Sequence, residues 1–284
     1  MSVADETEPL SHYDEIADGY ARHWGPVIRP AAERVLDRIA PVVEELLGRS
    51  GAARLLDVGT GTGTLAIAAL ERWPGLAVTG IDPSAGMLEI ARRDANDRLP
   101  PDVAGRYTTV VAWADELPFP AGAYDLAVSS FVLQLVPSRA AALREIGRVL
   151  APGATLAWVA WQRGDRPYEP DRVANDVLDA AGFDPPEDGS GNGDIASPAA
   201  AVQAMRRAGF RDVRAEAAEV AHVWDAAGYV AFFTEFDEAS LFAELEDEER
   251  TDIERTILDR LAALTPEQLT LRLPVVYAMG RAAR

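Results

Sequence analysis

Apolar and polar positions follow two different periods along the middle of the chain. Short apolar runs such as ARLLDV at 53–58 are typical of buried strands, and amphipathic stretches such as SAGMLEIARRDA at 84–95 are typical of helices. Buried strands that alternate with amphipathic helices predict a parallel sheet covered on both faces. The predicted strands are 53–58, 76–81, 106–112, 123–130 and 154–161, and the predicted helices are 63–73, 84–95 and 138–150.

The pattern changes on both sides of this region. A helical pattern runs from His12 to about residue 47, and Pro26 and Pro30 predict a break in it. After 161 we expect a surface helix and a Pro/Gly-rich loop at 184–198, then a helix, a strand, two more helices and a last strand. The expected segments are an acidic tail and helical lid at 1–48, core at 49–161, a cap at 162–197, core at 198–224, a second cap at 225–266 and a terminal strand at 267–284. The seven strands would form one mostly parallel sheet.

The turn after the first strand is rich in glycine. Gly59, Gly61 and Gly63 lie in LLDVGTGTGTLAI, where glycine permits close backbone approach and a helix N-terminus offers free N–H groups. The dinucleotide fingerprint would require glycine at the position of Thr64, which disfavours an NAD-dependent dehydrogenase. A phosphate-binding P-loop would require a lysine that the turn lacks. A tight turn that binds nothing remains the alternative.

Acidic residues follow the next two strands. Asp82 ends the second strand, about 20 residues after the turn, where a carboxylate can accept both hydroxyls of an unphosphorylated ribose. Asp115 follows the third strand, within WADELPFP. Because right-handed crossovers bring the carboxyl ends of parallel strands to one edge, these acids are expected to face the glycine turn. Each could instead serve locally, Asp82 as a helix cap and Asp115 as a turn residue.

Charge and composition narrow the class of partner. The chain of 284 residues carries 46 acidic and 27 basic side chains, a net charge of −19, which disfavours nucleic acid and anionic membranes. No apolar run approaches the roughly 20 residues of a membrane helix, and the acidic N-terminus does not resemble a secretory signal. The absence of cysteine excludes disulfides and thiolate sites and fits a cytoplasmic location. Three scattered histidines predict no metal site, so a small molecule is the expected partner of a monomer or homodimer.

Four motifs occur in an order that matches a known family. LLDVGTGTG, GIDPSAGMLEIAR, ADELPFPAGAYDLAVSSFVLQLV and EIGRVLAPG span roughly residues 50–161. Together they resemble the class I S-adenosylmethionine-dependent methyltransferases, specifically the ubiquinone/menaquinone-biosynthesis-like small-molecule group. The resemblance implies a Rossmann-like fold, S-adenosylmethionine as cofactor, and methyl transfer by in-line displacement to oxygen, carbon or nitrogen. A protein of this fold with another reaction, such as a cyclisation, or with a purely binding role, is the alternative.

The resemblance also implies contacts with the cofactor. They are Tyr13, Tyr20 and Trp24 from the lid; Asp57, Gly59, Thr60 and Gly61 around the methionine part; Asp82 on the ribose; Pro83, Met87, Ala114, Asp115 and Glu116 around the adenine; and Ser129, Ser130 and Phe131 near the methionine carboxylate and sulfonium. The three lid aromatics could equally be core residues. Aromatic faces nevertheless attract cations, as a lid over a sulfonium would require.

The chain departs from the family pattern at a few positions. Gln134 stands where the family often has histidine, which removes a possible proton acceptor near the substrate. Ser138 stands where the family frequently has aspartate, and Ala154 replaces the second glycine of the family's PGG. Both changes affect turns or packing and not the chemistry. His23 and His222 are the candidate general bases, because histidine titrates near neutral pH. Each could also be an ordinary surface or core residue.

Overall fold

The fold is a single seven-stranded sheet with helices on both faces. The computed structural model describes residues 19–164, 167–183 and 193–283. The strand order is β3-β2-β1-β4-β5-β7-β6, in which β7 runs antiparallel to both neighbours and the other pairs are parallel. The strands are β1 (Ala53–Val58), β2 (Leu76–Asp82), β3 (Tyr107–Val111), β4 (Tyr124–Ser130), β5 (Leu150–Trp161), β6 (Arg211–Val223) and β7 (Thr270–Arg281). The expected Rossmann-like, mostly parallel architecture is confirmed.

Ten α-helices and two π-helical segments lie within the described residues. The helices are α1 (Gly25–Ser50), α2 (Thr64–Arg72), α3 (Ala85–Arg98), α4 (Pro101–Ala104), α5 (Arg139–Val149), α6 (Glu169–Ala181), α7 (Pro198–Arg207), α8 (Ala226–Phe232), α9 (Ala239–Glu244) and α10 (Asp247–Leu261). The first π-helical segment is Tyr20–Trp24 and the second is Phe233–Asp237. None of the described helices has the length and apolar character that spanning a membrane requires.

The sheet register determines which side chains meet at its carboxyl edge. Val58 at the end of β1 pairs with Ile81 of β2 on one side and with Ser129 of β4 on the other. The direction of the crossovers changes between β1 and β4, and ligands of doubly wound sheets bind at such a point. The glycine turn and Asp82 therefore lie where the sequence placed them.

The predicted break at Pro26 and Pro30 is wrong. Residues 25–50 form one helix, α1, which directly follows the first π-helical segment. Pro26 lies in the first turn, where its missing N–H has no helical partner to lose. Pro30 and Pro41 lie inside the helix, which is held by an apolar face that the core buries, including Val35 and Ile39. Burial of this face outweighs the hydrogen bonds that the two prolines remove.

The second cap contains more and shorter helical segments than predicted. Two helices were expected between residues 225 and 265, but this stretch contains α8, the second π-helical segment, α9 and α10. The apolar residues of this stretch pack into the main core, so the spacing of apolar positions does not show where one short helix ends and the next begins. Residues 184–192 of the expected loop, and the first part of the lid, lie outside the described residues. The division into lid, core and caps stays a prediction.

Candidate active site

The glycine turn between β1 and α2 has a backbone that ordinary residues rarely adopt. Gly59 and Gly61 have φ angles of 70° and 52°, both in the left-handed region. A Cβ built on Gly59 would lie 2.1 Å from Cγ2 of Val132, whereas a Cβ on Gly61 would have no atom within 4 Å. The turn is therefore packed on one side at Gly59 and open at Gly61, with bare backbone at the cavity wall.

A buried hydrogen-bond network stands behind the turn. The hydroxyl of Thr60 donates to Oδ2 of Asp57 at 2.8 Å and lies 2.9 Å from the hydroxyl of Tyr107. Burial raises the pKa of Asp57 to about 7, and the negative charge of Asp82 acts in the same direction. Asp57 is therefore a carboxyl group that changes charge near neutral pH and lies in the cavity wall.

Asp82 connects the end of β2 to the glycine turn. Its Oδ2 accepts the backbone N–H of Gly61 at 3.0 Å, and its Oδ1 accepts the N–H of Ser84 at 3.0 Å. Ser84 caps α3 by accepting the N–H of Met87 with its own side chain. The helix-cap role that Asp82 could have had thus belongs to Ser84, and Asp82 holds two loops together at the cavity.

A cavity of about 510 Å³ opens at this edge of the sheet, within the usual range for small-molecule sites. It brings together most of the residues that the sequence singled out. Those in its wall are Tyr20, Trp24, Asp57, Gly59, Thr60, Gly61, Asp82, Pro83, Met87, Ala114, Ser130 and Phe131.

Several singled-out residues do not line the cavity. Ser129 is fully buried, and its hydroxyl donates to the carbonyl of Val58 at 2.9 Å. Asp115 and Glu116 belong to a tight turn after β3, closed by an isolated bridge between Trp113 and Glu116, and neither reaches the wall. Tyr13 lies outside the described residues.

Neither candidate base reaches the cavity. His23 faces Glu235, with Nε2 3.0 Å from Oε2, in a contact that joins the two π-helical segments. His222 lies on the edge strand β6, where its ring meets that of Trp224 at a centroid distance of 4.5 Å and burial lowers its pKa. Neither of the two histidines that the structure describes lies in the wall, because both side chains have other neighbours.

Aromatic side chains from distant parts of the chain also line the cavity. Trp161 at the carboxyl end of β5 contacts Phe131 at 4.1 Å and Trp24 at 6.1 Å between ring centroids. Phe236 of the second π-helical segment meets Tyr20 of the first, edge to face, at 6.2 Å. Trp161 and Phe236 are not among the site residues that the sequence predicted. A position at the end of a parallel strand could have indicated Trp161, but no local signal marks Phe236.

The part of the chain that forms the glycine turn is similar to known proteins. Residues 55–153 match a family model described as a methyltransferase domain. The chain is 37% identical over 130 residues to a ubiquinone/menaquinone biosynthesis C-methyltransferase of Syntrophotalea carbinolica, covering 46% of this chain and 52% of the relative. It is 34% identical over 146 residues to a malonyl-(acyl-carrier protein) O-methyltransferase of Geobacter sulfurreducens, covering 51% of this chain and 52% of the relative. The chain thus spans about half the length of the curated relatives it matches.

Solved structures share the fold at low sequence identity. A phosphoethanolamine N-methyltransferase 2 of Haemonchus contortus, solved with S-adenosylhomocysteine, has a TM-score of 0.56 and 16% identity, covering 100% of this chain and 61% of that one. SpnF, a (4+2)-cyclase, has a TM-score of 0.55 and 20% identity, covering 100% and 99%. These likenesses establish the fold. Residues 55–153 are thus similar to a methyltransferase domain, and the resemblance to the class I S-adenosylmethionine-dependent methyltransferases is confirmed.

Proposed function

We propose that this chain binds S-adenosylmethionine and transfers its methyl group to a small-molecule acceptor. The observation that carries the proposal is the pairing of Asp82 with the N–H of Gly61 at the wall of a cavity of about 510 Å³. The wall of the cavity offers carboxylates and bare backbone at the glycine turn, and it also contains aromatic rings. These surfaces suit a ligand with a ribose, an amino acid and a reactive sulfur.

The wall matches such a ligand chemically. The open space at Gly61 admits a ligand against the backbone, and Asp57 is available to the ammonium of an amino acid. The buried Oγ of Ser130 has no hydrogen-bond partner among the described residues, so it can serve a carboxylate. The second carboxylate, Asp82, can accept hydroxyls of a ribose beside its two backbone bonds.

In the reaction, this protein mainly orients groups and excludes water. The bound cofactor supplies a methyl group already activated by a sulfonium. The glycine turn and the two carboxylates fix the amino-acid and ribose ends, which restricts the direction of attack. Trp24, Phe131 and Trp161 form an apolar wall that keeps water from the transfer and presents ring faces to positive charge. Of the described residues no histidine lines this wall, so neither His23 nor His222 is proposed as a general base.

The partner class follows from the site and the charge of the chain. A net charge of −19 opposes binding to nucleic acid or an anionic membrane, so we propose that the acceptor is a small molecule. We also propose that the protein acts in the cytoplasm.

Calorimetric titration with S-adenosylmethionine, S-adenosylhomocysteine and NAD tests the proposal. The first two are expected to bind and NAD is not, and binding of NAD alone would refute the cofactor assignment. An acceptor screen that follows release of S-adenosylhomocysteine then tests turnover. Tight cofactor binding without release by any acceptor would favour a binding role. Conversion of an acceptor at constant mass would favour a cyclisation.

Cofactor affinity is expected to depend on pH through Asp57. Since the pKa of this carboxyl is raised to about 7, it is mostly neutral at pH 5.5 and mostly charged at pH 7.5. The charged form attracts an ammonium group, so the affinity for S-adenosylhomocysteine should rise severalfold between these values. In Asp57→Asn the rise should disappear, as measured by calorimetry at both pH values. An equal rise in the variant would exclude Asp57 as the titrating group.

A further inference from the structure

Tyr107 of β3 reaches the glycine turn across an intervening strand. β2 lies between β1 and β3, and its Gly80 pairs with Asp57 on one side and with Thr109 on the other. A Cβ built on Gly80 would lie 2.7 Å from the hydroxyl oxygen of Tyr107 and 2.8 Å from Oγ1 of Thr60. Any larger residue at position 80 would therefore displace at least one of these hydroxyls, which lie 2.9 Å apart. A glycine inside a strand often marks such a close approach.

The number of available protons fixes the direction of these hydrogen bonds when Asp57 is charged. A charged carboxylate only accepts, so the single proton of the Thr60 hydroxyl goes to Oδ2 of Asp57 at 2.8 Å. Thr60 can then only accept from Tyr107. Burial and the charge of Asp57 raise the pKa of the Tyr107 phenol, which keeps it protonated and able to donate. The hydrogen bonds therefore run in one direction, from Tyr107 through Thr60 to Asp57.

The other surroundings of Asp57 mostly oppose its charge. Its side chain is buried, and burial raises its pKa to about 7, while the negative charge of Asp82 at the end of β2 acts in the same direction. Two hydrogen-bond donors favour the charged form instead. They are the hydroxyl of Thr60 and the backbone N–H of Ala66 in the first turn of α2. The charge of Asp57 at neutral pH therefore depends on these donors.

A cation of α3 lies near this network but is engaged elsewhere. The positive charge of Arg92 acts on Tyr107, and its guanidinium donates to Oγ1 of Thr109 at 2.8 Å. Within the described residues no ion pair links Arg92, or any other cation, to Asp57. Since no cation compensates Asp57, the loss of a donor should have a clear effect on its titration.

We propose that Tyr107 is a positioning residue for the cofactor, whose hydroxyl acts through Thr60 to keep Asp57 charged and available to the ammonium group of S-adenosylmethionine. The proposal rests on the proposed function, because it concerns the same cofactor site. Asp57 and Thr60 lie in the cavity wall, whereas Tyr107 is not among the residues that line it. Tyr107 therefore acts on the cofactor only through the other two residues.

The titration of Asp57 in the free protein tests this chain of hydrogen bonds without any ligand. Carbon-13 NMR follows the side-chain carboxyl of Asp57 against pH, and the signal is assigned by its absence in Asp57→Asn. In Tyr107→Phe the midpoint is expected to move upward by about 0.5–1 pH unit, which corresponds to the loss of one hydrogen bond. Thr60→Val removes the connecting hydroxyl and should move the midpoint upward at least as far. Thr60→Ser keeps a hydroxyl and should leave the midpoint unchanged.

Tyr124→Phe is the matched control. Tyr124 is a buried tyrosine of β4 whose hydroxyl forms a hydrogen bond with the side chain of Thr79, so the substitution removes a comparable bond. Tyr124 packs into a different core cluster from Tyr107 and does not line the cavity. The titration midpoint of Asp57 should therefore stay where it is in the wild-type protein.

Calorimetry with S-adenosylhomocysteine connects the titration of Asp57 to the cofactor. The pH at which the affinity rises should move upward in Tyr107→Phe by the same amount as the NMR midpoint. At pH 8.5, where Asp57 is mostly charged in both proteins, the variant and the wild type should bind about equally. A purely structural effect of the substitution would instead lower the affinity at every pH.

An unchanged midpoint of Asp57 in folded Tyr107→Phe or Thr60→Val, or an equal shift in Tyr124→Phe, would overturn the role of Tyr107, whether or not the cofactor binds. A shifted midpoint of Asp57 without a matching shift in affinity would overturn it as well. If S-adenosylhomocysteine does not bind to the wild-type protein at any pH, the proposed function fails, and the positioning role fails with it even where the NMR midpoint moves as expected.

Discussion

Replacing Gly59 with alanine is expected to destabilise the protein by about 2–5 kcal/mol, the sum of left-handed backbone strain and overpacking. The new Cβ would lie 2.1, 2.6 and 2.8 Å from Cγ2, Cγ1 and Cβ of Val132, so that side chain and its backbone must move. The φ of 70° adds strain that an alanine cannot relieve without changing the turn. Urea denaturation followed by circular dichroism gives the free energy of unfolding.

Gly61→Ala is the matched control. Its φ of 52° is also left-handed, but its Cβ would meet no atom within 4 Å. The cost should therefore be limited to the backbone strain, about 1–2 kcal/mol. Equal destabilisation by the two substitutions would show that the close approach of Val132 to Gly59 adds nothing to the cost of a side chain there.

Asp82→Ala is expected to weaken the binding of S-adenosylhomocysteine at least tenfold. The substitution removes the acceptor for the N–H groups of Gly61 and Ser84, both at 3.0 Å, and the carboxylate proposed to hold the ribose. Hydrogen bonds to a charged group contribute about 1.5–3 kcal/mol, which corresponds to roughly tenfold or more in affinity. Calorimetry at pH 7.5 measures the loss, and circular dichroism confirms that the variant is folded.

Asp125→Ala is the control for this substitution. Asp125 lies near the amino end of β4, away from the carboxyl ends of the strands. Its carboxylate accepts the backbone N–H of Arg54 at 2.8 Å and the guanidinium of Arg54 at 3.0 Å. It does not line the cavity, so its loss should leave the affinity for S-adenosylhomocysteine unchanged. An unchanged affinity in Asp82→Ala, or an equal loss in Asp125→Ala, would contradict the ribose-binding role of Asp82.

The part of the candidate site at the glycine turn could be predicted largely from sequence because its components are local. The glycine turn is one continuous segment, and Asp82 ends the very next strand. Their meeting follows from the parallel pairing of adjacent strands, which the pattern of apolar runs already indicates. The aromatic part of the wall is different. Phe236 reaches the cavity from a segment about 75 residues beyond the core motifs, which end near residue 161, and its contact with Tyr20 has no counterpart in any local pattern.

The candidate bases show the same limit. Histidine chemistry suggested His23 and His222, but whether a histidine reaches a cavity depends on what packs against it. Glu235 takes the side chain of His23, and β6 carries His222 at the edge of the sheet. The hydrogen bond from Nε2 of Gln134 to the carbonyl of Phe131 is likewise a feature of the folded chain that no sequence pattern indicates.

By itself, the sequence determined the sheet, its helices and the class of domain, because these depend on periodicity and on short motifs with fixed spacing. It misjudged the prolines of α1, where burial of an apolar face overrides a local breaking signal. Only the tertiary structure decided which aromatic side chains line the cavity and which polar atoms of its wall have no hydrogen-bond partner among the described residues. Those properties arise from contacts between segments that are distant along the chain, and local propensity carries no information about such contacts.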